Sequence, residues 1–545
     1  MKKGFTLVEL IGVVIILALI ALLAFPPILN SIRKTKSELS DASKEILYNA
    51  ANLYVSENLN DFPKRNGNTF CVTLNTLSSK EYLPTKVYDS ITGEEISSDS
   101  LIEIKVENNN YTYNMNNECV EDIYVSPNKP ELLDNMVPIK YNGTNWIVAS
   151  ESDKWYDYDA KEWANAVVLN TTKKVGDTVS ESEIDLWYVW IPRYKYQLFN
   201  ADNGSVEPQE IQIKFESGTS STGTVSCTDN ISGTDGTTSS ETCTNASNGN
   251  WYTHPAFTLG TQELTGFWVG KFEVSGSTSK ITIKPNVTSL RRQTVSSFFT
   301  AIQNINTTYN LNGDSHMMKN MEWGAVAYLS HSKYGINEEV YINNSSSYYT
   351  GRSGGNVGGS TNTVATQYPS SSTSSNRYYN YGYYTYDGKI VNYDGSIGDY
   401  ASDRTLGTKA STTGNIYGVY DMSGGALEYV MGNMVNSSVA FYSSSAGFST
   451  PPDSIYYDSY TYGTSSLTHG RGKLGDATKE TLKAFGSGSG GWYSDYAFFP
   501  YSSYSWFSRG GNYTYGSYAG LFIFYWYNGN AGSSDSARAV VCVRG

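Results

Sequence analysis

The chain has 545 residues and a mass of 60.1 kDa, which is too long for one ordinary domain and predicts two or three. Its 39 basic and 52 acidic residues give a net charge of −13, so nucleic acid is not expected as a partner. Aromatic residues make up 14 % of the chain and the mean hydropathy is −0.39, values that exclude a disordered chain and a polytopic membrane protein.

The chain begins with an apolar run from Phe5 to Leu29, preceded by two lysines. This length fits one membrane-spanning helix, whereas a cleaved secretory signal has a shorter apolar region. The run carries one charge, Glu9, and a carboxylate inside a bilayer costs about 3 kcal/mol, so a role for it is expected. Apolar residues then recur at helical spacing to about Asn58, which predicts that the helix continues beyond the membrane.

Residues 4–9, GFTLVE, resemble the cleavage and methylation motif of type IV pilins and pseudopilins. The resemblance implies cleavage after Gly4 by a prepilin peptidase, N-methylation of Phe5, and pairing of Glu9 with the amine of a neighbouring subunit in a filament. Residues 1–4 are then a leader, and residues 5–58 are a long transmembrane, pilin-like helix. The implied partners are the peptidase, the membrane and other pilin subunits.

A small pilin-like β region is predicted over residues 59–131. Residues 70–119 contain short alternating segments such as LIEIKV at 101–106, which are typical of strands. Cys71 and Cys119 bracket them and are expected to form a disulfide in an oxidising compartment, with two free buried thiols as the alternative. A proline-containing stretch at 126–130 marks a boundary, so a second domain is predicted over 132–545.

The second domain alternates aromatic blocks with two low-complexity insertions, at 217–249 and 344–377, to which no function is assigned. Cys227 and Cys243 are expected to pair and staple the first insertion as an exposed loop. The blocks around Trp187–Tyr194 and Leu264–Val274 are typical of core strands, and Met321–Leu329 has helical spacing.

Four blocks in order resemble the formylglycine-generating enzyme family, a variant of the C-type lectin fold: FWVGKFEV (267–274), GVYDMSGGALEYV (418–430), SRGG (508–511) and ARAVVCV (537–543). The resemblance covers about 185–545 and implies a lectin-like domain with long loops, which makes the whole chain α+β. The family's oxidases need two cysteines just before the terminal strand to bind copper, and residues 509–530 contain none. No catalytic residue is therefore expected, and the lone Cys542 is predicted to be a buried, inert thiol.

No metal or cofactor site follows from the sequence. The four histidines are scattered, and no zinc, nucleophile-elbow or phosphate-loop motif occurs. Asp421 and Glu428 are interpreted as structural carboxylates, with calcium compatible by fold analogy alone.

Aromatic residues are concentrated between 492 and 527. Phe507, Leu521, Phe522 and Phe524 alternate among small residues, which predicts core positions. Six others lie among Asn and Gly in a loop-like context and are expected to be exposed: Tyr513, Tyr515, Tyr518, Tyr525, Trp526 and Tyr527. Tyr, Ser, Gly and Asn are favoured in binding loops, although a chain with 46 tyrosines also places some by chance.

Residues 509–541 also resemble the variable region of proteins diversified by retroelements, in which adenine miscopying changes Asn-type codons within a fixed frame. The resemblance implies a variable, ligand-binding region at about 492–540. The positions expected to vary and to bind ligand are Tyr513, Tyr515, Tyr518, Ile523, Tyr525, Trp526, Tyr527, Gly532, Ser533 and Asp535.

The leading hypothesis is a receptor on a bacterial cell surface, anchored in the cytoplasmic membrane or in a pilus, that binds an unknown protein or glycan on another cell or phage. One alternative is a minor pseudopilin of a secretion or uptake machine with a fixed binding head. The other is an enzyme related to the formylglycine-generating family, which the missing cysteine pair disfavours.

Overall fold

The computed structural model describes residues 41–90, 93–201, 204–229, 241–343, 345–354, 408–435 and 444–544, with the short strands at 383–384, 390–391 and 397–398. The chain divides into two compact units between Tyr124 and Val125, ahead of the expected boundary at 131/132. The predictions for Gly4, Phe5 and Glu9, and for the membrane segment, lie outside the described residues. None of the helices that are described has the length and apolar character to cross a membrane.

The first unit packs one helix against a small antiparallel sheet. Helix α1 comprises residues 41–57, in agreement with helical spacing that ends near Asn58. Its Leu47 and Val55 share a core with Ile102 and Ile104, which are fully buried on one face of the second strand. The remaining elements are β1 (Thr69–Thr73), α2 (Leu74–Ser79), β2 (Leu101–Glu107) and β3 (Asn110–Met115), with the strand order β1-β2-β3.

Both expected disulfides form. Cys71 is joined to Cys119 in the first unit, and Cys227 is joined to Cys243 across a two-stranded hairpin in the second. Disulfides persist in oxidising compartments, so they indicate an extracytoplasmic protein.

The second unit consists mainly of strands, and its longer helices are α3 (Val295–Tyr309) and α4 (Asn320–Ser330). Its strands up to α3 are β4 (Met136–Tyr141), β5 (Trp146–Val148), β6 (Asn165–Leu169), β7 (Ile184–Pro192), β8 (Tyr194–Gln197), β9 (Ile213–Phe215), β10 (Ser226–Asp229), β11 (Glu241–Thr244), β12 (Trp251–Thr253), β13 (Thr258–Leu259), β14 (Gln262–Glu263), β15 (Gly266–Gly270), β16 (Ser275–Ser277) and β17 (Lys280–Thr282). Those that follow are β18 (Asp314–Met317), β19 (Ser353–Gly354), β20 (Tyr383–Tyr384), β21 (Ile390–Val391), β22 (Ile397–Gly398), β23 (Leu427–Val435), β24 (Asp458–Thr461), β25 (Trp506–Gly510), β26 (Gly520–Tyr527), β27 (Asp535–Ala537) and β28 (Ala539–Cys542).

Two sheets organise this unit. The larger has the order β18-β28-β15-β7-β6-β4-β5, and the second has the order β24-β23-β25-β26, with β27 pairing on β23. Strand β7 lies inside the larger sheet, and its residues Leu186–Pro192 are buried on both faces, which explains the nearly continuous apolar sequence LWYVWIP. The mixed α+β class, rich in strands, is therefore confirmed.

Arg538 joins the two sheets at the point where the chain passes from β27 to β28. Its guanidinium is fully buried and pairs with both carboxylate oxygens of Glu428 on β23, at 2.5 and 2.9 Å. It also donates to the carbonyl of Gly270 at the end of β15, at 2.8 Å. This bidentate, fully bonded arrangement is the geometry in which a buried ion pair is satisfied, and it fixes the second sheet relative to the first.

Helix α3 is an element that the sequence patterns did not single out. Its Thr294 side chain caps the first turn by accepting from the Ser297 amide, and Asn310 ends it in the left-handed conformation at φ 51°. The helix buries Phe298, Ile302 and other apolar residues. Seven of its fifteen residues are Ser, Thr or Asn, which have low helix propensity and mask this apolar stripe.

Candidate ligand-binding surface

The candidate surface is built on the antiparallel pair of β25 and β26. Phe507 lies opposite Trp526, and Ser508 lies opposite Tyr525. The first part of β26 is buried: Leu521, Phe522 and Phe524 are at most 3 % exposed, as is Phe507 on β25. The prediction that these four residues belong to the core is confirmed.

Strand β26 continues to Tyr527, so Tyr525, Trp526 and Tyr527 lie on the strand and not in the expected loop. They are half-buried because the strand leaves the core at this end. The preceding segment covers its outer edge: the Phe498 amide donates to the Phe524 carbonyl at 2.9 Å, and the Phe524 amide donates to the Tyr496 carbonyl at 3.0 Å. This pairing brings the rings of Tyr496 and Phe498 beside that of Tyr525.

The result is a continuous layer of half-buried rings, here called the aromatic face. Tyr518 stacks on Tyr496 with ring centroids 4.3 Å apart and planes 3° apart. Tyr525 lies 5.8 Å from Tyr496 and 4.8 Å from Trp526, which in turn lies 4.4 Å from Tyr504. The aromatic face comprises Tyr496, Phe498, Tyr501, Tyr504, Tyr515, Tyr518, Tyr525 and Trp526.

The aromatic face carries no formal charge. No charged residue occurs in 496–508 or 510–534. Burial raises the pKa of Tyr496, Tyr515 and Tyr525 above the ordinary value, so their hydroxyls remain neutral at physiological pH. The surface can therefore offer ring faces and neutral hydroxyl groups to a ligand.

Three of the predicted ligand-binding positions, Tyr513, Gly532 and Ser533, form a second cluster beside Arg291. The Tyr513 ring lies 5.0 Å from that of Tyr348, over which the Arg291 guanidinium sits at 3.8 Å. Arg291 also donates to the carbonyl of Ser533, which is exposed and follows the half-buried Gly532. Tyr527 faces elsewhere and packs against Tyr429 at 5.8 Å.

Two of the expected ligand-binding positions are corrected by the structure. Ile523 is fully buried in the middle of β26, and Asp535 is 1 % exposed where β27 pairs with Leu427 of β23. Both were expected from the resemblance to diversified proteins, and both are instead strand residues inside the sheet, on β26 and β27. Burial raises the pKa of Asp535 to about 7. Neither side chain is placed to touch a ligand on the surface.

The structure also locates the lone cysteine and the two carboxylates that the sequence analysis singled out. Cys542 is buried as predicted, and burial raises the pKa of its thiol well above the ordinary range. Glu428 pairs with Arg538, while Asp421 accepts from the Asn343 side chain and the Gly351 amide, both at 2.8 Å. These two carboxylates hold loops and strands together.

One grouping of potential metal ligands occurs among the described residues: Cys227, Glu241 and Cys243. Both sulfur atoms belong to a disulfide, so neither is available as a thiolate ligand. The grouping therefore does not fit a metal ion.

No protein-family model matches the chain, and no curated protein matches it.

Sequence reasoning placed Tyr515, Tyr518, Tyr525 and Trp526 on one surface, and the structure brings them together. The sequence-based prediction did not assign four further rings to that surface, those of Tyr496, Phe498, Tyr501 and Tyr504. Their local sequence resembles that of the neighbouring core residues, and their position follows from the pairing of 496–498 along β26. The Tyr- and Ser-rich sequence YSSYS at 501–505 was the available signal for exposure.

Proposed function

We propose that this protein is a receptor displayed on a bacterial surface, in which the pilin-like N-terminal segment anchors or polymerises the chain. The C-type lectin-like second domain presents the aromatic face to a protein or glycan on another cell or phage. The observation that carries the proposal is a layer of eight neutral, mutually packed rings around the end of β26, above the buried residues Phe522 and Phe524 of the same strand.

The packing of the rings supports a binding role. Tyr525 contacts Tyr496, Phe498 and Trp526, so its ring is held in place before any ligand arrives. A surface that is already ordered loses little side-chain entropy on binding, and aromatic anchors supply most of the energy at many interfaces. Neutral hydroxyls around the rings add hydrogen bonds that suit either a peptide or a sugar.

The proposal includes diversification of this surface by a retroelement. The positions that reach the surface are Tyr513, Tyr515, Tyr518, Tyr525, Trp526, Tyr527, Gly532 and Ser533. Changes at half-buried or exposed positions alter the ligand contacts at modest cost, whereas changes beneath them disturb a close-packed core. Gly532 is the exception, because a Cβ there would lie 1.9 Å from the carboxylate of the buried Asp535.

A second candidate function is that of a minor pseudopilin. The observation that favours it lies on α1, where Ile46 and Leu53 are 61 % and 51 % exposed on a helix whose opposite side is buried. Exposed apolar residues seven positions apart lie on one face of a helix. Such a face is suited to packing against neighbouring helices in a filament.

The receptor proposal is tested by replacing Tyr515, Tyr518 and Tyr525 together with Ala in the full-length protein and measuring binding to whole bacteria and phage. Each side chain is placed to act as an anchor, and hot-spot residues cost about 2 kcal/mol or more each, so we expect binding to fall by at least about 100-fold. Tyr88, which is 53 % exposed in the first unit, provides the matched control as Tyr88→Ala. Unchanged binding by the triple variant would contradict the proposal.

A further inference from the structure

A cleft of about 600 Å³ lies at the other end of the second sheet from the aromatic face. The sheet order β24-β23-β25-β26 places the cleft beside β24 and the aromatic face on β26. The lining includes Lys319, which precedes α4, with Tyr457, Asp458 and Ser459 at the start of β24, and Lys473. The volume is in the range of small-molecule sites.

Lys319 is the unusual member of this lining. It is 6 % exposed, and its backbone amide donates to Glu322 at 2.8 Å. Among the described residues its side-chain ammonium has no hydrogen bond and no ion pair within 4 Å, although its charge acts on the buried carboxylates of Asp458 and Glu322. Lys473, by contrast, donates to Asp229 at 2.6 Å. An ammonium group that is largely removed from water and not paired is costly, which is the condition that an anionic ligand relieves.

The rest of the cleft limits what kind of anion fits. The Asp458 carboxylate accepts from the Met321 amide in the first turn of α4, at 2.7 Å, and Glu241 accepts from the Leu474 amide at 3.0 Å. Three carboxylates, those of Asp229, Glu241 and Asp458, line the cleft and repel a multiply charged phosphate more strongly than a singly charged carboxylate. They accept hydrogen bonds from hydroxyl groups, and Tyr457 and Ser459 add further hydroxyl partners.

We propose that this cleft binds one acidic sugar residue, whose carboxylate pairs with the Lys319 ammonium while its hydroxyl groups donate to Asp458 and its neighbours. The ligand chemistry follows from one unpaired cation surrounded by hydrogen-bond acceptors. The site is separate from the aromatic face and does not depend on its function. In a cell-surface protein, it would supply a second contact to a glycan that carries uronic or sialic acids.

The test is calorimetric titration of the full-length protein in detergent with glucuronate, N-acetylneuraminate, neutral glucose, acetate and inorganic phosphate. We expect at least one acidic sugar to bind, and glucose, acetate and phosphate to bind at least about tenfold more weakly. Equal binding of phosphate or acetate would show a general anion site and overturn the assignment. Absence of binding by both acidic sugars at about 10 mM would also overturn it.

Substitutions at Lys319 test whether this residue binds the acidic sugar. Lys319→Met removes the charge at similar volume and should weaken acidic-sugar binding by at least about tenfold, whereas Lys319→Arg should retain most of it. Lys333, which is exposed elsewhere in the second unit, provides the control as Lys333→Met, which should leave this binding unchanged. Lys319→Met also removes the charge that acts on the buried carboxylates of Asp458 and Glu322, so the fold of this variant is verified by circular dichroism before the titration. Undiminished binding by that variant would refute the proposal.

Discussion

His316 carries a buried positive charge that should make the stability of the second unit depend on pH. Its ring nitrogens lie 2.7 Å from a carboxylate oxygen of Asp314 and 2.9 Å from one of Glu322. All three side chains are at most 3 % exposed. Burial alone lowers the pKa of His316, but the charges and hydrogen bonds of Glu322 and Asp314 outweigh it and raise the pKa to about 9.

The size of the effect follows from the difference between this pKa and the ordinary value of 6.5. A shift of this size corresponds to about 3 kcal/mol of folding free energy. Because the pKa is raised in the folded state, the contribution is complete below about pH 6.5 and is lost as the pH rises through about 9. His316→Gln should therefore lower the free energy of unfolding by about 3 kcal/mol at pH 6 and by under about 1 kcal/mol at pH 9.5.

Urea unfolding followed by tryptophan fluorescence measures this directly, since every tryptophan lies at residue 146 or beyond and reports only on the second unit. His254 provides the matched control, because burial lowers its pKa to about 3 and it stays neutral above pH 7. His254→Gln should cost the same at pH 7 and pH 9.5. An equal loss for His316→Gln at pH 6 and pH 9.5 would refute a charged imidazole in the triad.

Three further predictions concern the surface and the disulfides. Tyr525→Ser should weaken ligand binding by at least about 30-fold, while changing the free energy of unfolding by only about 1–2 kcal/mol in urea titrations, because the ring is half-buried. Raising NaCl from about 0.05 to 0.5 M should change affinity at the aromatic face less than about twofold, since residues 496–508 and 510–534 carry no charge; a steep salt dependence in the same binding assay would contradict the neutral surface. Replacing Cys71 and Cys119 with Ser should destabilise the first unit by about 4 kcal/mol, from the loop that the disulfide closes, as measured by its circular dichroism melt.

The sequence predicted those parts of the fold that local patterns encode. Alternation identified the strand at 101–106, the uninterrupted apolar run identified β7, and cysteine placement indicated both disulfides. Helix α3 was not singled out because its Ser, Thr and Asn residues obscure the apolar period. Propensity gives way here to packing, since the buried side of the helix stabilises it.

The aromatic face was predictable only in part, because local sequence identifies exposed tyrosines but does not show which segments pair in space. Half-exposed tyrosines were recognisable from their Asn- and Gly-rich surroundings, but the end of β26 was not. Ile523, which the resemblance to diversified proteins placed among the variable positions, is instead buried within the strand. The rings of Tyr496 and Phe498 join the aromatic face through a strand-like pairing with Phe524 that no local pattern records. Lys319 and Asp458 meet in the cleft from distant parts of the chain for the same reason.

The central claim is that the surface at the end of β26 is the changeable, ligand-contacting part of the molecule, above a fixed core. Sequencing the DNA that flanks this reading frame tests it most directly, by searching for a near-copy of the segment encoding residues 509–541 beside a reverse-transcriptase frame. The account predicts a copy that differs almost only at adenines, with changes at the codons for Tyr513, Tyr515, Tyr518, Tyr525 and Ser533 and none at those for Phe522 and Phe524. A copy whose differences fall equally on the buried codons, or the absence of any copy, would contradict a diversified receptor and leave the aromatic face as a fixed surface.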